Sequence, residues 1–300
     1  MPFTDWIRLV VSTRGESVGQ GTKQQAIQQG IRESFDSGTW VLGEIATISP
    51  GDLEIAHAAY SPLHPNQLIL PFLEQLGRDQ TMFADKHDQL EKHFQRPEQH
   101  ASPHAPYSTH PSLVKQMCDQ ATVAKRMVAM HLAETKAELE LLNHRQGDFV
   151  EMLKGFGVWN PDSFSNNNLV PSLLRQLSSA GRSLVIHGNY LTDTEIKFLG
   201  THRETMSVVY CPRTHRYFRH DPYPLESFQR QQVCVALGTD SRASNPDRTA
   251  PVCAGRRSDR CDRNEVRASA FYFGDRLPDK RSSGKGTATE PIRSARHRET

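Results

Sequence analysis

Between Thr39 and Asp240, short apolar runs of strand length alternate with segments of helical character, and most of the runs stop at a reactive side chain. Such alternation restricts a chain to a parallel sheet, because parallel neighbours need a crossover long enough to hold a helix. The expected strands are Trp40–Ile45, Gln67–Phe72, Met127–Leu132, Ser183–His187, Met206–Tyr210 and Val233–Leu237, with a weaker one leading into Ala101–Pro106. The runs after Arg126, Gly181 and Thr205 are almost wholly apolar, as expected of strands buried on both faces. Helical patterns cover Thr22–Ser34, Asp79–Gln95, Pro111–Lys125 and Glu134–Asn143, and Thr192 or Asp193 is placed to cap a helix running through Leu199. Periodicity does not choose between a doubly wound sheet and a closed barrel.

The pattern ends at Asp247. Residues 248–300 carry 13 Lys and Arg against 7 Asp and Glu, leaving 23 basic and 27 acidic residues in 1–247, so the two parts have opposite charge. The tail holds 11 arginines and a single aromatic run, Phe271–Phe273, too little apolar surface to offset the entropy of ordering it. The expected division is a folded unit over 1–247 and a disordered or frame-shifted tail over 248–300. That tail has no aromatic-interleaved platform and no helix motif, which argues against nucleic-acid binding despite its charge. No apolar run is long enough to span a bilayer, Met1–Arg14 does not read as a signal peptide, and the five cysteines form no C-x-x-C pair. A reducing cytoplasm is the expected compartment.

The strand ends hold the chemistry. They read Met-His131-Leu-Ala-Glu134-Thr, Ile-His187-Gly-Asn-Tyr, Tyr-Cys211-Pro-Arg213-Thr-His215 and Leu-Gly-Thr-Asp240-Ser241, with Ser102-Pro-His104-Ala-Pro-Tyr107 closing the weaker strand. In parallel α/β proteins these carboxyl ends converge on one face. Two histidines, a glutamate and an aspartate would meet there, donor types suited to a divalent zinc- or iron-class ion with a carboxylate left to move protons. Each piece has a plainer reading: Glu134 could serve only the start of a helix, and Asp240 could cap one. The coincidence of several such endings favours a site.

His131-Leu-Ala-Glu134-Thr135, His187-Gly-Asn-Tyr-Leu191, Gly238-Thr-Asp-Ser241 and Ser102-Pro-His-Ala-Pro-Tyr-Ser108, in this order, resemble the amidohydrolase superfamily. The branch is that of the cytosine, guanine and S-adenosylhomocysteine deaminases, the triazine chlorohydrolases and aminodeoxyfutalosine deaminase. The resemblance implies an α/β fold, a TIM-type (β/α)8 barrel, here incomplete for want of its first strand and C-terminal part. It implies a metal-dependent hydrolase of non-peptide carbon–nitrogen bonds, a deaminase or chlorohydrolase acting on a nitrogen heterocycle, with one divalent metal, zinc before iron. His131 and Asp240 would be metal ligands, Asp240 also taking a proton from the water. Glu134 would shuttle that proton and His187 would hydrogen-bond the attacking water. His104, Arg213 and His215 would contact substrate. A soluble homodimer is the oligomer that many such relatives suggest.

One departure from the family pattern is plain. Its first strand ends in His-x-His, and no two of the fourteen histidines here are separated by one residue. Thr4-Asp-Trp-Ile-Arg-Leu-Val10 resembles the helical region just after that motif. The expectation is therefore an active-type enzyme read in part, with an inactive remnant as the alternative.

Overall fold

The computed structural model describes residues 1–13, 25, 28–34, 39–46, 68–95, 99–164, 169–240 and 270–273. Eight strands form one sheet: β1 (Val41–Ala46), β2 (Leu68–Gln75), β3 (His100–Pro103), β4 (Met127–Leu132), β5 (Arg182–His187), β6 (Met206–Tyr210), β7 (Cys234–Leu237) and β8 (Ala270–Phe273). Their spatial order is β7-β6-β5-β4-β3-β2-β1-β8 and every pairing is parallel. From β1 to β7 sequential strands are thus neighbours, as the alternating pattern requires, while β8 pairs with β1. Parallel strands twist relative to one another, and here the sheet curls until β7 and β8 come into contact. The architecture is α/β, an incomplete (β/α) barrel of the TIM type.

Alternation along the strands builds two apolar layers. Ile45, Leu70, Phe72, Ala129, Ile186, Val209 and Cys211 pack together on the inner face. Their neighbours Leu73, Val128, Met130, Val185 and Val208 point the other way, into a larger core shared with the helices. That core is covered by α1 (Phe3–Thr13), α2 (Phe83–His93), α3 (Pro111–Ala124), α4 (Lys136–His144), α5 (Asp148–Gly155), α6 (Leu169–Ser179), α7 (Asp193–Thr201), α8 (Pro212–Tyr217) and α9 (Leu225–Arg230). Leu113, Val114, Met117, Cys118 and Ala121 are buried at helical spacing on α3, and Leu169, Val170, Leu173, Leu174 and Leu177 on α6. These two stripes pack on each other and on β3, β4 and β5.

The helix termini follow local chemistry. Thr192 caps α7 with a complete capping box, its hydroxyl accepting from the Glu195 N–H while Glu195 accepts from the Thr192 N–H. Thr192→Ala should lower stability by about 1 kcal/mol, read as a fall in the thermal unfolding midpoint, whereas an unchanged midpoint would remove the cap from the account. Pro111 opens α3, where its missing N–H costs nothing.

Met127–Leu132 and Met206–Tyr210 match their sequence ranges, and β1, β3, β5 and β7 differ from expectation by a few residues at their ends. β2 runs three residues further than its apolar pattern, to Gln75, so that Glu74 becomes part of a strand. The expected helix over Thr22–Ser34 is seen at 28–34, and part of it lies outside the described residues. α5, α6, α8 and α9 were not anticipated by the pattern. Within the Arg-rich tail only residues 270–273 are described, and they form β8 beside β1. This is the one aromatic-rich run of that segment, and aromatics favour strands.

Candidate metal centre

The functional side chains sit where the inner face of the sheet meets the carboxyl ends of the strands. On β4 the inner residues alternate as Ala129 and then His131, which places His131 at the rim. Its Nδ1 lies 2.8 Å from the His104 carbonyl oxygen and must donate to it, because a carbonyl only accepts. The lone pair is therefore on Nε2, the nitrogen left to bind an ion. The His131 backbone N–H donates to the same carbonyl at 2.9 Å, locking β4 to the loop after β3.

His187 reaches the site differently. Ile186 already faces inward, so strict alternation would turn the next residue into the helix layer. Instead His187 adopts φ +70°, a left-handed conformation that re-aims its side chain. Gly188 follows at φ +62°, and a Cβ there would lie 3.2 Å from Leu191 Cδ1 and 3.4 Å from Val208 Cγ1, so glycine suits the turn on two counts. Tyr223 pins the bend by donating its hydroxyl to the His187 carbonyl at 3.1 Å. Ala133 and Asp240, at the ends of two other site strands, are also left-handed, at φ +54° and +53°. Such strain persists where the surroundings over-determine it, and it gathers at functional sites.

The result is a cluster of donors. One ligand atom from each of His131, His187 and Asp240 lies within 4.8 Å of the other two. His187 Nε2 is buried without a hydrogen-bond partner, and it stands 3.5 Å from Glu134 Oε1. An orphaned buried nitrogen beside a carboxylate suits a site completed by an ion or a water. Burial, with His187 alongside, holds the His131 pKa down at about 4 against the pull of Asp240. Burial, then His220 and His215, holds His187 at about 3. Both imidazoles are therefore neutral at pH 7, the form that ligates metal. Burial first, then Asp240 and Glu138, raise the Glu134 carboxyl pKa well above the ordinary range.

The remaining expected residues fall around this cluster. His104 packs its ring 5.0 Å from that of His131. His215, on α8, packs against Tyr210, His220 and Tyr223 beside His187. Arg213 is half-buried at the second position of α8. Ser241 lies outside the described residues. Cys211 is buried with its thiol pKa pushed well up, so it remains a thiol.

Three participants escaped the sequence reading. Glu74 stands on β2 and His104 Nε2 is 3.8 Å from its Oε1. Asn189 donates from Nδ2 to the Glu134 carbonyl at 2.9 Å. Glu138 accepts from the backbone N–H groups of Ala133 and Glu134 at 3.1 and 2.7 Å, clamping the left-handed turn that presents Glu134. The spacing Thr135-x-x-Glu138 was the available signal, since it has the form of a capping box. Thr135 does cap α4, but the Glu138 side chain also reaches the N–H groups one and two residues before the cap.

Burial raises the Glu138 pKa to about 7 from the ordinary 4.5, against the lowering effect of its backbone hydrogen bonds. Folded protein then keeps a proton that the unfolded chain releases from about pH 4.5, so this group's contribution is complete below that pH and is lost as the pH rises to about 7. The loss is on the order of 3 kcal/mol. Glu138→Gln should flatten this part of the stability profile in denaturant titrations between pH 4.5 and 7; an identical slope in the variant would refute the assignment.

A parallel sheet curled into an incomplete barrel, with histidine and carboxylate side chains gathered at its carboxyl ends, places the candidate site where (β/α) barrels carry theirs. The chain matches the Amidohydrolase family over residues 1–251 and belongs to it. It is 31% identical over 144 residues to the 5-methylthioadenosine/S-adenosylhomocysteine deaminase of Thermococcus sibiricus, covering 48% of this chain and 29% of that protein. It is 23% identical over 245 residues to the aminodeoxyfutalosine deaminase of Nitratiruptor sp., covering 81% and 58%. The crystal structure of the atrazine chlorohydrolase of Arthrobacter aurescens with zinc superposes with a TM-score of 0.57 at 14% identity, over 82% of this chain and 55% of that one. The chain therefore spans between about a third and three-fifths of the length of these proteins. Among the described residues no helix is long and apolar enough to cross a membrane.

Proposed function

We propose that this chain carries the centre of an aminohydrolase that removes an exocyclic amine from a nitrogen heterocycle, with one zinc-class ion at His131 and Asp240. The convergence of His131, His187 and Asp240 donor atoms within 4.8 Å, next to the buried Glu134, carries this reading. When bound, such an ion supplies a water acidified to a pKa of roughly 7. Asp240 would take a proton from that water, and His187, whose Nε2 is buried without a hydrogen-bond partner, would orient it. Glu134, buried beside His187 with its carboxyl pKa raised, would shuttle a proton to the ring nitrogen or to the departing amine. His104 contacts the substrate, while Arg213 and His215 set its specificity from α8. Zinc is favoured over iron by the histidine and carboxylate donors and by the zinc-bound relative.

The deaminase names of the curated relatives favour ammonia as the leaving group, and the same residues would serve loss of chloride. The test is to supply the zinc-loaded chain with 5-methylthioadenosine, S-adenosylhomocysteine, aminodeoxyfutalosine and atrazine, measuring ammonia and chloride. Ammonia from one of the amines supports the reading, and chloride alone moves it to the chlorohydrolases. Neither product from a protein that demonstrably holds zinc favours a binding remnant, the second reading, whose basis is the lack of a His-x-His among the fourteen histidines. A cytoplasmic homodimer acting on a small heterocycle completes the proposal, checked by sedimentation.

A further inference from the structure

Glu74, His104 and His131 form a second donor set, their ligand atoms also within 4.8 Å of one another. Strand alternation explains it. Leu70 and Phe72 face inward on β2, so Glu74 continues that column. His104 follows β3, and its neighbour Ala105 is buried in the outer core with Ala101. His131 ends the inner column of β4. Three adjacent strands therefore bring three donors to one rim without any contribution from β5 or β7.

The hydrogen bonds fix which nitrogen each imidazole offers. His104 Nδ1 is engaged with Ser108 Oγ at 2.5 Å, so Nε2 is the nitrogen turned toward Glu74. His131 is fixed in the same sense by the His104 carbonyl. His104 Nε2 stands 3.8 Å from a carboxylate oxygen of Glu74, whose side chain is 6% exposed, and both atoms are ligand types for a divalent ion. Histidines anchored through one nitrogen so that the other is presented are the usual form of metal ligands.

We propose that Glu74, His104 and His131 constitute a second divalent-cation seat, separate from His187 and Asp240. Donors around a tetrahedral ion with bonds of about 2.1 Å lie roughly 3.4 Å apart, so the 3.8 Å spacing closes with a small side-chain movement. His131 Nε2 binds one ion at a time, so the two seats exclude each other and total binding stays at one equivalent. With an ion on the second seat, His104 is withdrawn from substrate.

The test uses the full chain, stripped with chelator and titrated with Co²⁺ alone, followed by its visible absorption. Asp240→Asn should still bind one equivalent, because the second seat remains. Adding Glu74→Gln should then weaken binding by more than the roughly 10–100-fold expected of a lost outer-shell partner. His104→Asn in the Asp240→Asn background repeats the test at a less buried position, with circular dichroism confirming the fold of each variant. The proposal is overturned if Asp240→Asn alone abolishes Co²⁺ binding, or if neither added substitution weakens it further. A proton shared by Glu74 and His104 in place of a metal gives that last result. Failure of the catalytic reading is distinct, because it appears as a metal-loaded parent that releases neither ammonia nor chloride.

Discussion

His131→Asn should strip the protein of bound divalent metal. His131 belongs to both donor sets, its Nδ1 is committed to the His104 carbonyl, and its Nε2 is the one lone pair the sets have in common. An Asn side chain is shorter and offers an amide oxygen, a harder and weaker donor for a zinc-class ion than imidazole. The loss should exceed the roughly 10–100-fold that accompanies removal of an outer-shell partner, and should appear as metal-free protein after gel filtration. Hydrolysis should vanish with the metal. Because His131 is only 6% exposed, the variant must be shown folded by circular dichroism before its metal content is compared. A folded variant holding as much zinc as the parent would remove His131 from the centre.

Glu134→Gln should behave in the opposite way, keeping metal and losing turnover. Glu134 is buried at the turn after β4, 3.5 Å from His187 Nε2, and appears in neither donor set. Gln preserves its shape while removing the exchangeable carboxyl proton. A positioned proton carrier contributes typically 10²–10⁴-fold, so kcat for the proposed deamination should fall by about that factor with zinc content unchanged. The deficit should be largest with substrates whose leaving group most needs protonation. Turnover within threefold of the parent, roughly 0.7 kcal/mol in barrier, would place the proton elsewhere.

Much of the fold was legible because parallel strands buried on both faces read as continuous apolar runs. Met127–Leu132 and Met206–Tyr210 are such runs and fall where the pattern puts them. β2 was cut short since Glu74 and Gln75 break the apolar signal, and these are the residues its end brings to the site. Helices α5 and α6 were missed although their apolar residues repeat at helical spacing. The site residues were legible as strand endings, but their partners were not. Glu138 signals a cap and instead clamps the turn before it, which depends on the left-handed conformation of Ala133.

The sequence by itself determined that the sheet is parallel and which side chains end its strands, since periodicity and residue type are local properties; the strand order came from the tertiary structure. Tertiary structure alone decided which donors meet. His187 would face outward by alternation and is turned inward by a left-handed φ of +70°, a conformation enforced by Tyr223 and the space around Gly188. Glu74, His104 and His131 are separated by 30 and 27 positions, and only the parallel pairing of β2, β3 and β4 brings them to one rim. The lowered histidine pKa values and the raised Glu134 pKa arise likewise from burial among neighbours, because a pKa is set by surroundings that the chain acquires on folding.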